Sequence, residues 1–191
     1  MDVTNKQPVA VDTRDLARRI DRPIVLVGMM GVGKSSVGRR LAAALACDFA
    51  DADDAIEESA QMTISEIFDQ FGEDYFRDGE RRVIARLLDG AGCRKVIATG
   101  GGAFCNEVTR ALILDKAIAV WLDSDLDTLV ERTARKNNRP LLSQGNPREI
   151  LGRLRDERAP AYAQAPIHVL SGKGPHSETV NMVLKGIAQW L

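Results

Sequence analysis

The stretch Gly28-Met-Met-Gly-Val-Gly33-Lys34-Ser35 meets every fixed position of G-x-x-x-x-G-K-[ST]. It lies between a short β-branched run, Ile24-Val-Leu-Val27, and a segment in which Val37, Leu41 and Leu45 recur every four residues. That recurrence is the mark of a helix with one buried stripe. A strand that empties into such a loop and continues as a helix leaves few folds open. The glycines let the backbone curl so that successive N–H groups point inward at an anion. The new helix adds the positive end of its dipole. A lysine at this place reaches the β- and γ-phosphates of a nucleoside triphosphate, and a serine hydroxyl there suits Mg2+. Gly31, Val32, Gly33, Lys34, Ser35 and Ser36 are therefore the candidate phosphate-binding set. A dinucleotide fingerprint fails on spacing, because Gly31-Val-Gly33-Lys-Ser-Ser36 lacks the final glycine of G-x-G-x-x-G.

The rest of the chain alternates strand and helix signals. Phe49 to Asp53 reads as a second strand running into an acidic helix start. Thr63-Ile-Ser-Glu66 fits a capping box, and Tyr75 to Leu88 is charged and helix-periodic, with Gly90 and Gly92 as stops. Val96 to Ala98, Ala117 to Leu122 and Ile167 to Leu170 read as further strands. Helices are expected over Glu107–Leu114, Leu126–Arg135, Pro147–Tyr162 and Glu178–Leu191. Five strands separated by helices predict an α/β fold of three layers, a parallel sheet covered on both faces. Residues 1–21 are expected to form a mobile arm, with a short helix over Thr13–Ile20, ahead of a single domain over 22–191.

Composition removes other classes. Among 191 residues, 26 Lys+Arg nearly balance 27 Asp+Glu, for a net charge of −1. Nucleic acid as the main partner needs a basic excess that is missing here. No apolar run approaches the roughly 18–20 residues of a bilayer crossing, and no apolar signal-peptide core precedes Asp21, so no membrane partner and a cytoplasmic location are expected. Cys47, Cys93 and Cys105 have no C-x-x-C spacing, which disfavours a disulfide framework or a zinc cluster. His168 and His176 belong to no metal or triad motif. With no N-K-x-D to read guanine, and too little chain for a ring motor, a metabolite or nucleotide kinase is the expected class. A monomer is expected, since no long exposed apolar stripe suggests an interface.

The acceptor side shows in shorter signals, each with a plain structural alternative. Asp51 and Asp53 close the second strand, where alternation would turn both carboxylates to one pocket; they equally suit the cap and first turn of the next helix. Arg77 and Glu80 share a helix face, and a guanidinium suits a carboxylate-bearing substrate, or merely its helical neighbour. Thr99-Gly-Gly-Gly102 follows a strand where a ligand can approach the backbone, although a simple turn also takes glycine. Arg132, Arg135, Lys136 and Arg139 precede Pro140-Leu-Leu142, either a solvated charge run or the source of an arginine that closes over ATP. Arg158 and Tyr162 stand at i and i+4 on the following helix.

Taken together these segments resemble the shikimate kinase family. The matching stretches are Gly31-Val-Gly-Lys-Ser-Ser36, Phe49-Ala-Asp-Ala-Asp-Asp-Ala-Ile-Glu57, Phe76-Arg-Asp-Gly-Glu80, Thr99-Gly-Gly-Gly102, Arg139-Pro-Leu-Leu142 and Arg158-Ala-Pro-Ala-Tyr162. They occur in the family's order over about residues 22–185. The resemblance implies the five-stranded parallel sheet of the P-loop nucleoside monophosphate kinase type. It also implies transfer of a phosphoryl group from MgATP to the 3-hydroxyl of shikimate, in chorismate and aromatic amino-acid biosynthesis. Carried over by position, Lys34, Asp53 and Arg139 are catalytic, Ser35 ligates Mg2+ and Asp51 supports it through water. Asp53, Arg77, Gly100, Gly101, Gly102 and Arg158 hold the substrate. Asp54–Leu88 would be the substrate-binding helices and Arg135–Asn146 the lid. Ser171-Gly-Lys-Gly-Pro-His176 lacks the arginine that some members place near adenine, so the adenine pocket is unassigned. The rivals are another small-metabolite kinase, such as a gluconate kinase, and a regulatory module that binds nucleotide without turnover.

Overall fold

The computed structural model describes residues 11–89, 94–134 and 145–191. The chain begins with helix α1, Thr13–Arg19, followed by β1 (Ile24–Val27), α2 (Lys34–Ala44), β2 (Asp48–Asp51), α3 (Ala52–Ala60) and α4 (Ile64–Leu88). Strand β3 (Lys95–Ala98) runs into a 3-10 turn over Ala103–Cys105, then α5 (Glu107–Lys116) and β4 (Ile118–Asp123). Helices α6 (Leu126–Ala134) and α7 (Pro147–Tyr162), strand β5 (Ile167–Leu170) and α8 (His176–Trp190) complete it.

The five strands form one sheet in the order β2-β3-β1-β4-β5, every pair parallel. Strand β1 is central and buried at all four residues, with Ile24 registered against Val96 on one side and Ile118 on the other. Such uniform apolarity is what a strand covered on both faces requires. The edge strands differ: β5 alternates buried and exposed, and β2 carries Asp48 and Asp51. Helix α2 packs on β3 and α8, and α8 on β5, while α4 meets α5 and α6 meets α7.

Parallel strands put all their carboxyl ends on one edge. From β1 the chain crosses toward β2, and from β3 it crosses the other way to β4. Neighbouring strands whose connections leave in opposite directions open a crevice between their carboxyl ends. The phosphate loop and the glycine triplet are the two loops that border this crevice. Thr99 fastens them at the root: its amide and its hydroxyl both donate to Leu26 O, at 3.2 and 3.1 Å.

Among the described residues two apolar clusters hold the molecule. The larger lines the sheet; a smaller one, Ile56, Ile67, Phe76 and Val83, joins α3 to α4. The Thr63 capping box starts α4, with Thr63 N donating to Glu66 Oε2 at 2.7 Å and Glu66 N to Thr63 Oγ1 at 3.2 Å. Inside α4 the helix breaks at Gly72 (φ 80°, ψ 179°), a conformation closed to residues with a Cβ.

Two features differ from the expected pattern. Over residues 11–21 the arm is docked: Asp12 caps α1, Leu16, Ala17 and Ile20 are buried in the main cluster, and Arg94 Nη1 donates to Ala17 O at 2.6 Å; residues 1–10 lie outside the described residues. An amphipathic turn with three apolar residues on one side is stabilised by docking, which a view of a polar leader misses. Strand β2 ends at Asp51, so Asp53 lies in the first turn of α3 rather than on a strand. The capping carboxylate of Asp51 switches the backbone from strand to helix at that point. The expected stops Gly90 and Gly92, and Cys93, lie outside the described residues.

Leu16→Ala should lower unfolding free energy by about 2–4 kcal/mol in urea denaturation, a loss typical of a buried leucine. Arg18→Ala, on the exposed side of the same helix, should leave it nearly unchanged. An unaltered midpoint for Leu16→Ala would mean that α1 is undocked in solution.

Candidate active site

The loop between β1 and α2 turns through positive φ at Gly28, Gly31 and Gly33. At Gly28 the reason is also steric, because a Cβ would stand 2.1 Å from Leu122 O. Lys34 opens α2, is 9% exposed, and its Nζ donates to Gly28 O at 2.8 Å and Met29 O at 2.9 Å. Ser35 Oγ donates to Asp51 Oδ2 at 2.6 Å, and the other oxygen of that carboxylate accepts from Asp53 N at 3.1 Å. Asp51 thus does both things the sequence left open: it caps α3 and faces the phosphate loop.

Across the crevice the three glycines after β3 stand against functional side chains. A Cβ on Gly100 would lie 2.8 Å from Asp53 Oδ1 and 2.9 Å from Glu80 Oε1. On Gly101 it would lie 3.3 Å from Arg158 Nη1, and on Gly102 2.6 Å from Arg77 Nη2. A plain turn would not need three bare α-carbons; this loop does, because each admits a different charged group. Asp53, Arg77, Arg158 and the triplet are thereby brought together at one place. Arg139 and most of the expected lid lie outside the described residues.

Arg77 donates through Nη1 to Glu80 Oε2 at 2.8 Å and through Nη2 to Glu73 Oε1 at 3.1 Å. Glu80 is 2% exposed, and burial pushes its carboxyl up while Arg77 opposes the shift. Glu80 Oε1 and Arg158 Nη1 are buried and accept or donate no hydrogen bond among the described residues. A buried acceptor and a buried donor left in this state at one crevice are what a polar ligand would satisfy. Burial, with Asp51 next, raises the Asp53 carboxyl to about 6, against the pull of Lys34.

Sequence reasoning passed over several members of the site. Tyr162 hydrogen-bonds to the triplet, its hydroxyl donating to Gly101 O; its i+4 spacing from Arg158 was the available signal. Arg132, read with a basic surface run, instead joins Val32 O of the phosphate loop (3.1 Å) to Gly172 O (2.7 Å). His176 packs against Gly33, its ring 3.3 Å from where a Cβ would be, and burial lowers its pKa with Arg40 and Arg132 adding to the effect. Nothing in the sequence pattern marked it.

Fold and site together define a P-loop kinase whose acceptor pocket joins acids to guanidinium groups. The family model described as shikimate kinase matches residues 30–188. A shikimate kinase from Novosphingobium aromaticivorans is 65% identical over 179 residues, covering 92% of each chain. A shikimate kinase from Acinetobacter baumannii, solved in complex with shikimate, superposes with a TM-score of 0.85 at 34% identity, over 91% of this chain and 97% of that one. A gluconokinase from Sinorhizobium meliloti, 20% identical with a TM-score of 0.62 over 89% of this chain and 93% of its own, shares the fold alone. The chain belongs to the shikimate kinase family.

The raised Asp53 pKa has a stability signature. Between its ordinary value of 3.8 and about 6 the folded chain holds a proton that the unfolded chain has released. Stability therefore falls as pH rises through this window and stays reduced above it. Asp53→Asn should be more stable than the parent at pH 7.5 by about 1–2 kcal/mol, the low end for a partly exposed side chain. The advantage should vanish near pH 4 in denaturant titrations at both pH values.

Proposed function

We propose that this chain transfers the γ-phosphoryl group of ATP to the 3-hydroxyl of shikimate, giving shikimate 3-phosphate. The observation that carries the reading is the glycine triplet, whose three α-carbons bring Asp53, Arg158 and Arg77 around one point beside the phosphate loop. A ligand with both a carboxylate and ring hydroxyls matches that mixture. Two guanidinium groups take the carboxylate, and an acid takes a hydroxyl.

The phosphate loop holds ATP through its inward amides, with Lys34 turning from the carbonyls of Gly28 and Met29 to the β- and γ-phosphates. The donor set at Ser35 and Asp51 is a hydroxyl and a carboxylate; among the described residues no group of three or more His, Cys, Asp or Glu is placed to hold a metal ion. Hard oxygens in small number suit Mg2+, which keeps most of its waters. Ser35 would hold the ion directly and Asp51 through water; when bound it neutralises charge on the phosphate oxygens. Arg77 and Arg158 orient the acceptor so that its hydroxyl lies in line with the γ-phosphorus, which supplies most of the rate through positioning. Asp53, its pKa raised to about 6, accepts the hydroxyl proton as the O–P bond forms and the bond to the leaving ADP oxygen breaks. Glu80 holds Arg77 in place. Arg139 is assigned the closing role over the transferring group. The enzyme is read as a cytoplasmic monomer acting on a free metabolite.

ADP release with MgATP should depend on shikimate and remain at background with gluconate, a nucleoside monophosphate or no acceptor. Turnover on gluconate would sink the acceptor assignments while sparing the phosphate loop. ATP binding without turnover on any acceptor would favour a regulatory module. Asp53→Asn should lower kcat at least about tenfold. Arg158→Leu should raise KM for shikimate by about tenfold or more, as expected for losing a charged hydrogen bond, while ATP binding stays within about twofold.

A further inference from the structure

Tyr162 is the last residue of α7, one turn beyond Arg158, and is 1% exposed. Its hydroxyl donates to the carbonyl oxygen of Gly101 and lies 4.0 Å from Met29 Sδ. Gly101 also presses on the phosphate loop, since a Cβ there would stand 3.3 Å from Met30 N and 3.8 Å from Gly28 O. A single hydroxyl thus touches both the glycine triplet and the phosphate loop. The ring is held from the sheet side by Trp121 of β4, stacked at 5.9 Å between centroids. Burial pushes the phenol well above its ordinary range, so the hydroxyl remains a donor at any working pH.

We infer that Tyr162 is a positioning residue that fixes the Gly101 peptide against the phosphate loop and so sets the distance between the bound acceptor and the phosphoryl group. This role rests on the function proposed above. The hydroxyl touches neither phosphate nor acceptor; it acts through the triplet and through the neighbouring side chains of Arg158 and Cys105, with which it also interacts. Without it the Gly101 carbonyl loses its partner and the loop is free to rotate about two glycines. The acceptor hydroxyl, held partly by that loop, then drifts from the in-line geometry. Small misplacements of reacting atoms lower rate steeply while leaving substrates bound. Packing alone would require only the ring, so removing the oxygen separates the two roles.

Tyr162→Phe keeps the ring and deletes the hydrogen bond. Its kcat/KM for shikimate should fall by about ten- to a hundredfold, with KM for ATP within about twofold of the parent. Leu151→Val, which thins the buried side of the same helix away from the site, should keep kcat within about twofold. Parent-like kcat/KM in Tyr162→Phe would overturn the role, and so would an equal fall in Leu151→Val, which would assign the effect to helix packing. Amide hydrogen exchange over residues 99–104, measured without substrates, reads the loop directly. Exchange should be about tenfold faster in Tyr162→Phe, and equal rates would overturn the role. If the parent itself failed to phosphorylate shikimate, the proposed function would fall, and the exchange comparison would still decide what Tyr162 does to the loop.

Discussion

The absence of side chains over Gly100–Gly102 is the constraint on which the site depends. Asp53 and Glu80 arrive from α3 and α4, Arg77 from α4 and Arg158 from α7, so three separate helices must aim charged groups at one loop. They can do so because the loop presents only backbone and because β3 lies next to β1 in the sheet. Strand adjacency brings the phosphate loop within van der Waals reach of the same glycines. The geometry of the crevice is therefore a property of sheet order as much as of any single residue.

The electrostatics follow from that crowding. Two acids, Asp53 and Glu80, share a corner that neither would choose on its own, and burial raises both. The guanidinium of Arg77 satisfies one oxygen of Glu80, while Glu80 Oε1 and Arg158 Nη1 remain without a protein partner among the described residues. A pocket kept in this condition is less stable than a well-paired surface would be, and it is correspondingly receptive to a ligand carrying both donors and an anion. Function here is held at the expense of local stability.

Much of the architecture was legible because strand and helix periods differ so plainly. The β-branched runs Ile24–Val27 and Ile167–Leu170 and the proline-led helix Pro147–Tyr162 lie where the pattern puts them. The phosphate loop declared itself by spacing. What could not be read was direction. An i, i+3 spacing says that Arg77 and Glu80 share a face, but not that Glu80 points inward and is almost wholly buried. For Asp53 the sequence leaves strand end and helix start equally open, because cap chemistry at Asp51 competes with strand alternation, and the cap prevails. Arg132 read as surface charge because its partners, Val32 O and Gly172 O, are 100 and 40 residues away in the chain. Contacts across such separations are made by the sheet topology, which local patterns do not carry.

The small cluster that joins α3 to α4 has a consequence for how the molecule yields under stress. Ile56, Ile67, Phe76 and Val83 pack mainly with one another, and the aromatic pair Phe68–Phe76, 4.6 Å apart, lies within the same group. The end of α4 stays with the sheet, since Ile84 and Leu88 are buried in the main cluster, but the stretch ahead of them has its own apolar centre and can open locally at a fraction of the free energy of global unfolding. Arg77, proposed to bind the acceptor, and Glu80, which pairs with it, ride on this stretch, while Val32 and Val37 of the phosphate loop and its helix belong to the main core. Heat or denaturant should thus loosen the Arg77–Glu80 side of the crevice before it disturbs the phosphate loop, so that the two sides age at different rates.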